Sequence, residues 1–447
     1  MNKAEKLSDS QYHKNFEDIV VPFTKNAAVV EANRCLFCYD SPCMTACPTH
    51  IDIPTFIKKI STENFKGSAK TIFESNWIAL TCAKACPVGD LCEGACVMHE
   101  KGEKPIEIGR LQRFAVENYF NNGMQKIFDP KPKNGKSVGI IGSGPAGLAC
   151  GAELVLLGYD VQIYESKNIP GGLNTYGIAP YKLRKEDALK EVKFIEGLGV
   201  KIQTNITIGK DISIDDLLKK HDAVFIGAGL GQSTQLDISG EDISGVSGAI
   251  NFIEDLKSEN WKSVDVGKRV AVIGAGNTAI DAATEAKRLG AEQVMILYRR
   301  SEEEMPANDF EYELAKKEGI IFHFLTAPVE IIGKDHVEKI KCVKMKLGEK
   351  DHRGRRTPIP IPNSEFEIQI DMVVASLGQK TKIDFLEPLK DLKIENGKIV
   401  VDKETFHTTH PKIFAGGDCI NGGKEVVNAA HDGKHAAIGI DKFLSLK

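Results

Sequence analysis

Eight of the eleven cysteines in this 447-residue chain lie between positions 35 and 96. No other feature limits the fold as much. The first run, CLFCYDSPCMTACP, is C-x2-C-x4-C-x3-C and places Cys35, Cys38, Cys43 and Cys47 before Pro48. The second, TCAKACPVGDLCEGAC, is C-x3-C-x5-C-x3-C and holds Cys82, Cys86, Cys92 and Cys96. Thiols so dense form disulfides, stay unliganded, bind zinc or bind iron–sulfur clusters. The polar start, MNKAEKLSDSQYHKN, has no apolar core of a signal peptide, and no apolar run is long enough to cross a bilayer. A cytoplasmic chain is expected, where structural disulfides are rare. Zinc sites favour two C-x2-C pairs, and only one is present. Two sets of four thiolates match two 4Fe-4S cubanes. Pro48 and Pro87 end the helix just after a ligand. The iron–sulfur reading is preferred. A zinc-stabilised, nucleotide-binding regulatory protein is the alternative from another class.

Cys150, Cys342 and Cys419 are scattered over the rest. The chain therefore divides into a helical head, residues 1–130, and a cysteine-poor body. The stretch NNGMQKIFDPKPKNGKS, with its prolines and glycine, reads as the linker. A net charge of −4 and a pI near 6.3 point to neither nucleic acid nor an anionic membrane as partner.

The body opens with SVGIIGSGPAGL. An apolar strand runs into Gly142, Gly144 and Gly147 and then a helix, which is G-x-G-x-x-G in strand–turn–helix context. Such a loop lets the backbone approach a pyrophosphate at a helix N-terminus. The next strand, DVQIYE, ends in Glu165, placed to accept a ribose hydroxyl. GPAGL followed by GGLNTYGIAP resembles the disulfide-reductase type of flavoprotein. So do FIGAGL at 225–230 and KIFAGGDCI at 412–420. That resemblance implies FAD, held also by Gly172, Leu173, Gly229, Gly417 and Asp418, with Asp418 on the ribityl chain. The helix VVNAAHDGKHAAIGI would turn its positive end to the isoalloxazine. The FAD domain is thus split, 136–255 and 376–447.

A second fingerprint, RVAVIGAGNTAID, lies within the expected nicotinamide domain, 256–375. It supplies Gly274, Gly276, Asn277 and Thr278, with Ala279 in the last small-residue position. The following strand ends in Arg299 and Arg300, which suits a 2′-phosphate. The next loop, SEEEMPANDFEYE, is acidic and has no further basic residue. The pair favours NADP and the loop NAD; the reading leans to NADH. The fold class expected is α/β, two Rossmann-like domains after an α-helical iron–sulfur domain.

The body has no C-x-x-C or C-x4-C pair, so Cys150 and Cys419 are expected to be packing residues. Electrons from the flavin then have the cluster head as acceptor.

The stretch NWIALTCAKACPVGDLCEGACVMHEKGEKPIEIGRLQRFA, residues 76–115, resembles the cluster domain of dihydropyrimidine dehydrogenase and, more loosely, the small subunit of glutamate synthase. The resemblance covers nearly the whole chain. It implies that Cys35, Cys38, Cys43 and Cys96 hold one cluster, and Cys47, Cys86, Cys92 and Gln112 the other. Composition alone would choose Cys82 as the eighth ligand. The chain stops at Lys447, before any FMN barrel. It therefore resembles the separate flavin subunit of the bacterial NAD-dependent enzyme. That implies a hetero-oligomer with an FMN-containing iron–sulfur catalytic subunit, which reduces uracil or thymine. A glutamate synthase small subunit or a ferredoxin–NAD(P) oxidoreductase subunit is the runner-up.

Overall fold

The computed structural model describes residues 1–257, 260–351 and 354–446. They form two compact units. The larger comprises Ile19–Thr175, Lys182–Gly231 and Lys380–Lys447, and the other Met1–Asp18, Tyr176–Tyr181 and Gln232–Gln379.

The larger unit starts with short helices. In Ile53–Ser61 the buried residues are Ile53, Phe56, Ile57 and Ile60, one face at helical spacing. Asp52 Oδ1 caps this helix by accepting the Thr55 N–H at 3.1 Å. Thr24 and Asn64 cap Lys25–Ala32 and Phe65–Ser75 in the same way. Phe73, Tyr119 and Phe120 pack as rings, and Phe194 joins them 4.5 Å from Phe73. Trp77 Nε1 donates to Glu153 Oε2 at 2.9 Å. Phe194 and Glu153 follow the linker in sequence, so head and flavin region share one core.

That core covers a parallel sheet. Its strand order is Ile413–Ala415, Ala223–Ile226, Ser137–Ile141, Asp160–Tyr164, Lys201–Gln203. Ala223–Ile226 is wholly buried, as a strand covered on both faces must be. Strand order reverses beside Ser137–Ile141, which makes the topological switch point where such sheets bind ligands.

The other unit repeats the plan: Val246–Gly248, Met372–Ala375, Arg269–Ile273, Gln293–Leu297, Ile321–His323, all parallel. Three long antiparallel strands, Thr326–Ile332, Lys339–Lys350 and Arg356–Gln369, precede its Met372–Ala375 strand.

The unit limits differ from those read in the sequence. Met1–Asp18 belongs to the second unit. Ala4 N donates to Val266 O at 2.9 Å, and Phe16 stacks on Trp261 with centroids 4.8 Å apart. Asn15 Nδ2 donates to Arg288 O, and an Arg288 guanidinium N–H to Asn15 O, both at 2.8 Å. Val246–Gly248 is an edge strand of the second sheet, so that unit begins before residue 256.

Candidate functional site

Both cysteine runs fold into irregular loops between short helices. Cys43 lies in Pro42–Ala46, and Cys47 ends it. Cys82 lies in Ala79–Ala85, and Cys86 ends it. Cys35, Cys38, Cys43 and Cys96 line one hollow with apolar neighbours such as Ile53, Ile57 and Met98. Burial pushes the Cys43 thiol up to about 12, and Cys35 also rises. Thiolates there lack a counter-charge from the protein, and a cluster's iron ions would supply it. The donor set and the apolar wall fit a cubane.

Cys47, Cys86 and Cys92 form the second group. The neighbouring Cys82 thiol comes first among the causes that raise Cys86, ahead of burial, and Cys92 and Cys47 add to it. Cys92 is raised by burial, with Glu93, Cys47 and Cys43 adding, so the two groups are adjacent. Gln112 is buried on helix Ile108–Asn121, and its Nε2 donates to Ala79 O at 2.7 Å. That bond fixes the amide and leaves Oε1 as the available donor atom. Cys82 also stands beside the group, so both candidates for the eighth ligand are at hand. All eleven cysteines are free. Among the described residues no three His, Cys, Asp or Glu side chains converge on one ion.

At the switch point of the first sheet, Gly142 has φ +93° and turns the chain sharply. A Cβ on Gly147 would lie 2.0 Å from Gly142 O, so the helix Pro145–Leu156 crosses the strand end at glycine distance. Gly144 caps that helix, and the nearest atom to a Cβ there would be Gly172 Cα at 4.0 Å. Glu165 is buried behind the loop. Its Oε2 accepts Ser143 N–H at 2.9 Å and Ser143 Oγ–H at 2.6 Å, and its Oε1 accepts Lys167 N–H at 2.8 Å. Ser143 Oγ also accepts Gly171 N–H at 3.0 Å, which joins the fingerprint to the segment of Gly172 and Leu173.

Gly417 meets the first turn of that helix at Ala146. Its N–H donates to Asp432 Oδ2 at 3.1 Å, in the helix Val426–Ser445, whose N-terminus carries no side-chain cap. Asp418 Oδ1 accepts Lys424 N–H at 3.2 Å, and burial raises its carboxyl. Gly229 lies beside the buried Cys419, whose thiol donates to Ile226 O and Gly416 O. Cys150 is likewise fully buried. The open Gly144 backbone, the carboxylates and the bare helix end fit a dinucleotide flavin.

Three buried contacts escaped sequence reading. Glu191 Oε1 accepts Leu80 N–H at 2.7 Å and Thr81 N–H at 3.2 Å, and Thr81 Oγ–H donates to Oε2. The carboxylate thereby caps the helix of Cys82 from the flavin side of the unit. Burial pushes it up to about 7. Lys84 and Asp187 pair at 2.5 Å along the same seam. Asn174, one residue past Leu173, donates Nδ2 to Thr81 Oγ at 3.3 Å.

In the second unit Gly276 caps Asn277–Arg288, and Gly274 N donates to Leu297 O at 3.1 Å. Asn277 Oδ1 accepts Asn308 N–H at 3.0 Å, and Thr278 is half-buried in the first turn. Arg299 is exposed, while Arg300 is buried and donates Nε to Arg356 O at 2.9 Å. Arg356 pairs with Glu303 and Glu304 at 3.1 Å each. Arg355 lies close enough to affect Arg299. Sequence reading missed these two because they lie more than fifty residues downstream, Arg356 opening a strand and Arg355 just before it; the basic run in DHRGRRT was the available signal.

Residues 136–433 match the family described as pyridine nucleotide-disulphide oxidoreductase, and residues 12–124 the one described as dihydropyrimidine dehydrogenase domain II, 4Fe-4S cluster. The NADP(+)-dependent formate dehydrogenase subunit beta of Moorella thermoacetica is 36% identical over 433 residues, 90% of this chain. This chain spans 60% of that relative's length. The glutamate synthase (NADPH) small chain of Escherichia coli K12 is 33% identical over 96% of this chain and 94% of its own. The NAD-dependent dihydropyrimidine dehydrogenase subunit PreT of Escherichia coli O157:H7 is 33% identical over 96% of this chain and 98% of its own. Among solved structures, FprA of Mycobacterium tuberculosis in complex with NADPH shares the fold, with a TM-score of 0.58 and 22% identity over 71% of this chain and 85% of its own. Among the described residues no helix is long and apolar enough to cross a membrane.

Proposed function

The chain belongs to the pyridine nucleotide-disulphide oxidoreductase family, with the glutamate synthase small chains and PreT as full-length kin, and from that premise we propose that it is the NAD(P)H-oxidising subunit of a cytoplasmic hetero-oligomer. Its cofactors are FAD and two 4Fe-4S clusters. One observation carries this reading. The helix bearing Cys82 and ending at Cys86 is bonded through Thr81 to Asn174 of the flavin segment, within one compact unit. A buried bridge of that kind suits electron passage from one site to the other.

Bound FAD would take a hydride from the nicotinamide, and the clusters would carry its electrons onward singly. Glu165 receives a ribose hydroxyl while holding Ser143 in the loop. Asp418 would hold the ribityl chain of bound FAD, and the bare end of Val426–Ser445 would turn its positive end to the isoalloxazine. Gly274 and Gly276 give the nicotinamide nucleotide its diphosphate site. Cys35, Cys38, Cys43 and Cys96 ligate one cluster. Cys47, Cys86, Cys92 and the Gln112 carbonyl ligate the other, with Cys82 beside them. Replacing Gln112 by Ala should lower the iron content by one cluster's worth; a full complement would make Cys82 the ligand.

The electrons leave to an FMN-containing iron–sulfur chain that reduces uracil or thymine. A glutamate synthase amidotransferase is the second reading, favoured by the equal identity and coverage of that small chain. Anaerobic co-purification separates them by the partner recovered. Purified protein with neither flavin bands nor iron–sulfur absorption would end both readings.

A further inference from the structure

The acidic run Glu302–Glu304 follows the arginine pair of the second sheet, where a nucleotide phosphate would have to approach. On charge alone three carboxylates should repel it. The structure disposes of each. Glu304 Oε1 accepts both the Arg356 backbone N–H at 3.0 Å and its Nε–H at 3.1 Å. Glu303 Oε2 accepts another Arg356 guanidinium N–H at 3.1 Å. Glu302 interacts with the Tyr312 hydroxyl. The remaining basic groups behave differently. Arg299, Arg300 and Arg355 take part in no ion pair among the described residues. Arg300 is fixed by its bond to Arg356 O, and the Arg355 backbone N–H is held by Asp351 Oδ1 at 3.1 Å. Partial burial of its guanidinium, with the charges of Arg300 and Arg355 adding and Tyr298 opposing, holds Arg299 below its ordinary value, so the three cations lie close together.

We propose that Arg356 is a specificity-determining positioning residue: by tying Glu303 and Glu304 to the antiparallel sheet, it leaves Arg299, Arg300 and Arg355 to receive the 2′-phosphate of NADPH in preference to NADH. This rests on the nicotinamide reading of the same sheet. A dianion meeting three guanidinium groups gains charge-assisted, fork-shaped hydrogen bonds, which a bare ribose hydroxyl cannot make. Arg356 touches no substrate. It acts on the site by removing two competing carboxylates and by buttressing Arg300 with its carbonyl.

Two measurements test this on the full-length holoprotein. The first is kcat/KM for NADPH and for NADH with an artificial electron acceptor. The wild type should favour NADPH by at least about tenfold, the worth of one charge-assisted bond. Arg356→Ala should cut the NADPH/NADH ratio about tenfold through KM for NADPH, with kcat little changed. Adding Glu303→Gln and Glu304→Gln to Arg356→Ala should restore the ratio, which a merely structural role would not allow. The second is calorimetric binding of adenosine 2′,5′-bisphosphate against 5′-AMP, which does not depend on cofactor loading. The bisphosphate should bind more tightly, and less so in Arg356→Ala. A wild type that favours NADH, an Arg356→Ala protein that loses both nucleotides in proportion, or a triple variant without rescue would overturn the proposal. A holoprotein reduced by neither nucleotide would instead overturn the function on which it rests.

Discussion

Just past the second strand of the larger unit's sheet stands Glu165; at the matching place in the other sheet stand Arg299 and Arg300. Both sheets are five-stranded and parallel, and both bring a glycine loop and a helix N-terminus to the switch point. On the proposed function the backbone would supply a diphosphate site in each, and the side chain after the second strand would choose the ribose: a hydroxyl for the carboxylate, a phosphate for the guanidinium groups. A second difference lies in the loop. Gly147 closes the first fingerprint, whereas the second has Ala279, which already carries a buried Cβ. The third is the crossover helix to the third strand. Lys185–Leu198 buries Glu191, Phe194 and Ile195, while Asp309–Lys317 buries only Ala315. One sheet serves as the platform for the cysteine-rich helices, and the other has no such load on that helix.

The largest expected break in this comparison is Gly147→Ala. The added Cβ meets backbone oxygen and cannot be relieved by a rotamer, so the helix must shift. The purified protein should be free of flavin and melt early; stoichiometric flavin absorbance would show that the close crossing is dispensable. Next is Glu165→Gln. It weakens the charge-assisted bonds from Ser143, worth about 1.5–3 kcal/mol each, so flavin should dissociate roughly 10–100 times more readily on ultrafiltration. Arg299→Gln should leave flavin retention as it was.

A smaller effect concerns Glu191. Its folded carboxyl, pushed up to about 7, lies above the unfolded value near 4.3. Its contribution to stability is therefore complete below the unfolded value and is lost as pH rises through about 7. Glu191→Gln removes that slope, on the order of 3–4 kcal/mol over the full window. Melting temperatures of variant and wild type should converge or cross between pH 5 and 8; parallel curves would mean that the carboxylate does not titrate there. The mildest change is Ala279→Gly, the reverse of the first. It costs about 1 kcal/mol of helix stability and should leave nucleotide oxidation intact.

The two fingerprints and the grouping of thiols were legible because each is a local pattern. A strand, a glycine turn and a helix lie within thirteen residues, and the hydrogen bonds they imply are mostly internal. Arg356 and Glu191 were not legible. Each reaches its partner through a sheet or helix placed by the whole fold: Arg356 by a strand that pairs with Lys339–Lys350, Glu191 by a helix laid under Leu80 and Thr81. The pairing of Glu303 and Glu304 could not be read along SEEEMPANDFEYE for the same reason, since Arg356 lies over fifty residues away. Met1–Asp18 was misplaced because it adjoins the cysteine-rich helices in sequence, yet its apolar residues Tyr12 and Phe16 find their counterpart in Trp261.

That strap also sets an order of events during synthesis. Phe16 leaves the ribosome well before Trp261, and at about 5–20 residues per second the interval is roughly 12–50 s. Throughout it Tyr12 and Phe16 await Trp261, while the helices and the flavin sheet that follow can already assemble. The second unit is therefore finished by an earlier-made segment returning to a later-made one, a closure of high contact order. A fusion or tag that tethers residues 1–18 elsewhere delays the nicotinamide half of the molecule and leaves the flavin half to form on schedule.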